Sequence, residues 1–173
     1  HSGSHWLRYI IEYTSKCPSK GLSENDHSIG SLYPIGVDLS KDYIIERRKL
    51  LSKSDYSSYN KIILLVRNYK EVFAREALSR GSDSEKEVRK VFNEEYSDYM
   101  KNIRNYRNWN GPKLIVYYEE LMDNPSEEIY KIFEFLNIDT KESDSFMKNY
   151  EKHFRCSLGI YKRNHTYENV TKD

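Results

Sequence analysis

Lys61-Ile62-Ile63-Leu64-Leu65-Val66-Arg67-Asn68 carries an unbroken apolar run, rich in branched side chains, that stops abruptly at an arginine. The run is too short for a typical helix, and it lacks the polar alternation of a half-exposed strand. It reads as a strand covered on both faces, at the centre of a parallel sheet. In open α/β sheets, ligands bind beyond the C-terminal ends of such strands. Arg67 therefore stands where a fixed-charge, bidentate fork would meet an anion. Position alone leaves a second reading open, that of a surface arginine closing a strand.

Downstream, a helix is expected from Lys70 to about Leu78, with Val72, Phe73 and Ala77 inward. Ser84-x-x-Glu87 resembles a capping box. Behind it Val88, Phe92, Tyr96, Tyr99, Ile103 and Tyr106 recur at three- and four-residue steps, which predicts one long amphipathic helix. Its aromatic stripe reads as core packing rather than a base-stacking surface. Lys113 to Tyr118 repeats the buried-strand pattern and runs into Glu119-Glu120-Leu121. Asn124-Pro125 starts another helix, buried through Ile129, Ile132, Phe133 and Leu136, and a last helix is expected from about Glu142.

Upstream, Trp6, Leu7, Ile10 and Tyr13 are spaced for a helix over Ser4 to Ser15, stopped near Pro18. Pro18 to about Lys41 has loop composition and contains His27, while Tyr43-Ile44-Ile45 reads as a strand leading into Glu46-Arg47-Arg48-Lys49. Strands alternating with helices give an α/β fold: a central parallel sheet with helices on both faces, three layers in all. The whole of 1–173 is expected to be one domain.

Composition narrows the function. The 173 residues carry a net charge of +1, so there is no global basic field and no expectation of nucleic-acid binding. Any anion site must be local. The five histidines lack metal-ligand spacing, and no metal is expected. No run is long enough to span a bilayer. Cys17 and Cys156 are too few for a disulfide framework; they pair in an oxidising compartment or remain thiols.

The chain opens with His1-Ser2-Gly3-Ser4-His5-Trp6. A small-residue turn feeding a helix N-terminus aims backbone amides and the positive end of the helix dipole at one point. The apolar strand that normally precedes such a turn is expected to be missing or truncated here.

Three islands stand in order: Ser-Gly-Ser-His-Trp-Leu-Arg-Tyr from Ser2, Lys-Ile-Ile-Leu-Leu-Val-Arg-Asn-Tyr-Lys-Glu-Val from Lys61, and Leu-Ile-Val-Tyr-Tyr-Glu-Glu-Leu-x-x-x-Pro from Leu114. Together they resemble the sulfotransferases that use 3′-phosphoadenosine 5′-phosphosulfate (PAPS), over His1 to about Leu136. The resemblance implies a P-loop nucleotide-hydrolase-like fold without the Gly-x-x-x-x-Gly-Lys-(Ser/Thr) of a kinase. It implies sulfuryl transfer from PAPS to a hydroxyl or amine of a carbohydrate, lipid or small molecule, with 3′-phosphoadenosine 5′-phosphate (PAP) as product. It also implies that the amides of Ser2, Gly3, Ser4, His5 and Trp6 hold the phosphosulfate and that Arg67 binds the 3′-phosphate.

The departures are specific. His1 replaces the family's loop Lys or Arg, and Tyr69 replaces a proline. Arg75 stands where the family has serine, either reinforcing the 3′-phosphate site or pointing to solvent. Arg155 and Ser157 only partly echo the loop that covers the nucleotide. The family's catalytic histidine is absent from Ile45 to Lys49, so Glu46 is the positional candidate for the base, with His27 and His5 as rivals. A nucleotide-binding protein of the same fold with weakened or no turnover is the alternative reading. The compartment expected is the cytoplasm, or the Golgi lumen if an N-terminal anchor precedes the chain.

Overall fold

The structure is a computed structural model. It describes residues 4–20, 44–46, 49–50, 52–81 and 84–150, and side-chain statements below are confined to these. His1, Ser2, Gly3, His27, Cys156, Arg155 and Ser157, and most of the long loop, lie outside the described residues. The described chain forms two compact units, one within 50–119 and one within 3–49 and 120–161.

The first unit holds the stretch from Lys61. A 3-10 turn (Lys53–Ser58) precedes strand β3 (Ile62–Val66), helix α2 (Tyr69–Ser79), helix α3 (Glu85–Asn108) and strand β4 (Lys113–Tyr117). Strands β3 and β4 pair in parallel, from Ile62 opposite Lys113 to Val66 opposite Tyr117. The ladder is led in by the Ile62 N–H donating to the Pro112 carbonyl at 3.1 Å.

The expectation of two doubly buried strands is corrected here. Residues of β3 are half-buried throughout, and β4 alternates, with Val116 buried but Ile115 and Tyr117 exposed. Among the described residues the sheet has only these two strands. The described residues are mostly helical with small parallel sheets; they carry the α/β character and do not by themselves establish a central sheet or three layers.

Helices α2 and α3 form the core of this unit. Phe73, Ala74, Ala77, Val88 and Val91 are buried together, with Val72, Phe92 and Tyr99 packed against them. Phe73 meets Phe92 edge-on at 5.5 Å and Tyr99 at 6.2 Å, favourable aromatic geometries that use the stripe of α3 for packing. Ser84 caps α3 by accepting from the Glu87 N–H, as its sequence pattern predicts.

The second unit begins with helix α1 (Ser4–Ser15). The helix ends in a left-handed residue, Lys16 (φ 55), two positions before Pro18. Strand β1 (Ser19–Lys20) pairs in parallel with strand β2 (Ile45–Glu46). The first lies in what the composition reads as loop, and the second is shifted one residue from the expected strand. Helix α4 (Tyr118–Asp123) starts where β4 ends, so Glu119-Glu120-Leu121 is helix rather than strand exit. Helices α5 (Pro125–Leu136) and α6 (Thr140–Lys148) follow. Trp6, Leu7, Ile10, Ile11, Ile129, Ile132, Phe133 and Phe146 are buried.

Candidate functional site

The parallel register builds the strand-end site. With Val66 opposite Tyr117, the next residues face each other as Arg67 with Tyr118 and Asn68 with Glu119. Both pairings are realised. The Arg67 guanidinium lies over the Tyr118 ring, 4.1 Å from its centroid, and the Asn68 N–H donates to Glu119 Oε1 at 2.9 Å. Asn68 also starts α2, its side chain accepting from the Lys70 N–H at 3.0 Å. Two strand ends and a helix start are thus tied at one point. The Tyr99 hydroxyl of α3 donates to the Arg67 carbonyl at 3.5 Å.

Helical spacing then adds two charges. Glu71 and Arg75 follow Arg67 at four-residue steps, which brings their side chains to one face. Glu71 Oε2 lies 3.8 Å from Arg67 Nη2 and 3.5 Å from Arg75 Nε. The three side chains are 10%, 12% and 18% exposed for Arg67, Glu71 and Arg75. Arg75 therefore turns into the cluster and not to solvent. Burial holds the Arg67 guanidinium below the ordinary arginine value; the Tyr118 phenol pulls the other way, Arg75 adds to the lowering, and Glu71 and Glu119 oppose it. An arginine stays charged through such a shift. Tyr99 is pushed up by burial first and by Glu119 next, so it remains a neutral donor.

In the second unit, His5 is half-buried near the start of α1, and Trp6 is 5% exposed, stacked on Tyr9 at 5.5 Å. The Trp6 side chain serves packing, also against Phe146 and Tyr150. Glu46 sits in β2 opposite Lys20, its side chain 7% exposed, with Lys20 Nζ 3.6 Å from its carboxylate.

One arrangement escaped the sequence reading. Arg8, Glu12 and Ser19 are all buried: Arg8 Nε donates to Ser19 Oγ at 2.7 Å, the Ser19 N–H donates to Glu12 Oε1 at 2.9 Å, and the Ser19 hydroxyl donates to the same oxygen. A charged pair at i and i+4 on the otherwise apolar side of α1 was its only signal. Glu71 was missed too, although Arg-x-x-x-Glu-x-x-x-Arg is legible in the chain. Among the described residues, no group of His, Cys, Asp and Glu is placed to hold a metal, and no helix is long and apolar enough to cross a membrane.

Searches of curated proteins and of solved structures give no match. The family described as Sulfotransferase domain matches residues 44–170, a span that includes Glu46, Arg67, Arg75, Tyr118, Arg155 and Ser157 and starts after Ser2 to Trp6. That span covers most of the 173 residues, and it contains the strand-end cluster in full. The chain belongs to the sulfotransferase family.

Proposed function

We propose that this chain binds PAPS and transfers its sulfuryl group to a hydroxyl or amine acceptor, a carbohydrate, lipid or small molecule. The observation that carries the reading is the arginine pair at the end of β3. Two largely buried guanidiniums converge on one carboxylate oxygen, which marks a position built for negative charge. A 3′-phosphate fits that donor set, since it presents several oxygens to two planar forks. In this reading Arg67 and Arg75 select the 3′-phosphorylated nucleotide, and the amides of Ser2 to Trp6 are assigned to the 5′-phosphosulfate. The same reading assigns Arg155 and Ser157 to nucleotide binding and His1 to the role of the loop cation.

Sulfuryl transfer of this kind is an in-line displacement, in which positioning and charge neutralisation supply most of the help. The base that takes the acceptor proton is Glu46, with His27 and His5 as the other candidates. We further propose a parallel sheet between two helical layers as the full architecture, with 1–173 as one domain; the family match over 44–170 supports its α/β character.

The ion pair of Glu46 with Lys20 favours a second reading, a nucleotide-binding protein without turnover, because it engages the carboxylate that would have to accept the proton. A transfer assay with labelled PAPS over a panel of hydroxyl and amine acceptors, run beside PAP calorimetry, separates the two. The first reading expects label transfer that Glu46→Gln suppresses while PAP binding persists. Tight PAP binding with no transfer to any acceptor would leave the second. Transfer that survives Glu46→Gln and fails in His27→Ala would move the base to His27.

A further inference from the structure

We propose that Glu71 is a built-in stand-in for the 3′-phosphate, and that its displacement or sharing sets how tightly the arginine pair takes a phosphate monoester. The inference rests on Arg67 and Arg75 being the 3′-phosphate site.

The geometry is that of a place-holder. A single oxygen, Oε2, serves both guanidiniums, at 3.8 Å from Arg67 and 3.5 Å from Arg75. Charge-assisted hydrogen bonds between such groups are shorter, about 2.7–2.9 Å. One carboxylate oxygen therefore stands at ion-pair range from two positive charges. A phosphate monoester carries about −1.5 to −2 charges and three terminal oxygens, so each guanidinium can take an oxygen of its own.

The surroundings hold Arg67, and Glu71 is the carboxylate that the two arginines share. Arg67 is held from below by the Tyr118 ring, and its backbone carbonyl accepts from Tyr99. The adjacent amide of Asn68 is taken by Glu119. Glu71 stands in the first turn of α2, where the helix dipole favours an anion in the absence of any ligand. Without a bound phosphate, Glu71 offsets the repulsion between two poorly solvated cations. When phosphate arrives, the same carboxylate repels it. Affinity is thereby lowered in exchange for a stable ligand-free site.

The test is Glu71→Gln, which keeps the shape and removes the charge. Titrations of the full chain with PAP and with 5′-AMP, which lacks the 3′-phosphate, are read together with melting temperatures. The variant is expected to melt lower than the wild type when unliganded. It is expected to bind PAP on the order of tenfold more tightly, a change of the size of one charged contact. Binding of 5′-AMP is expected to be unchanged, and PAP is expected to raise the melting temperature more in the variant than in the wild type.

If the wild type does not prefer PAP to 5′-AMP, the phosphate-site reading falls, and this inference with it. If the wild type prefers PAP but Glu71→Gln binds it equally or more weakly, the inference alone is overturned, because Glu71 then orders the arginines for the ligand. Should the variant fail to fold unliganded, refolding with PAP but not with 5′-AMP supports the inference. Failure with both overturns it.

Discussion

Arg67→Ala is the perturbation whose effect the strand-end geometry defines best. In the unliganded protein the change removes the cation over the Tyr118 ring, worth about 0.5–2 kcal/mol, and an arginine partner of Glu71. The frame of the site has independent ties. Arg75 still faces Glu71, and the Asn68 amide still donates to Glu119. The variant should therefore fold, with a modest fall in melting temperature. Towards a 3′-phosphate the change removes a charge-assisted contact worth about 1.5–3 kcal/mol, or roughly 10- to 150-fold in Kd. Because 5′-AMP lacks that phosphate, its affinity should scarcely move, and the ratio of the two affinities isolates the contact. Arg67→Lys keeps the charge and loses the fork, so an intermediate ratio is expected. The assay is calorimetric titration of both nucleotides onto wild type and both variants. An unchanged ratio in Arg67→Ala would take Arg67 out of the site, and equal losses for both nucleotides would mark it as structural only.

Two further outcomes concern the frame around the site. Ser19→Ala removes a hydroxyl buried between Arg8 and Glu12, and should cost about 1.5–3 kcal/mol in denaturant unfolding; a loss near zero would mean the network contributes nothing net. The hydrogen bond from Arg80 holds the Glu94 carboxyl below the usual carboxylate range. Its stabilisation is present above the unfolded carboxylate value and lost as pH falls through the lowered folded one. Arg80→Ala should thus lower the melting temperature at neutral pH, with a gap that closes in acid. A gap independent of pH would contradict the assignment.

The sequence carries the helices well because their signals are periodic or chemical. The bounds of α1 follow from Trp6, Leu7 and Ile10 and from the stop before Pro18, and Ser84 announces α3. The short elements are a different matter. Strand β1 is two residues held by parallel pairing with β2, and two residues have no period to read. Leu114 to Tyr117 looks doubly buried because its residues are apolar or aromatic, yet exposure of Ile115 and Tyr117 depends on neighbours that the string cannot specify. Tyr118 to Asp123 follows the strand with no breaker between, so its helix is hidden.

The site divides the same way. Arg67 was legible from its place after an apolar strand. The partners that define its surroundings were not, because Tyr118 and Glu119 reach it only through the β3–β4 register. The role of Glu71 is likewise a matter of which way two arginines turn. Sequence left Arg75 between the site and solvent, and the ion pair with Glu71 turns it to the cluster.

Electron density from crystals of the full chain grown with PAP tests the central claim most directly. The account predicts 3′-phosphate oxygens within hydrogen-bond distance of the Arg67 and Arg75 guanidiniums, with the Glu71 carboxylate drawn away from both. A 3′-phosphate bound elsewhere, with Glu71 still between the two arginines, would contradict it.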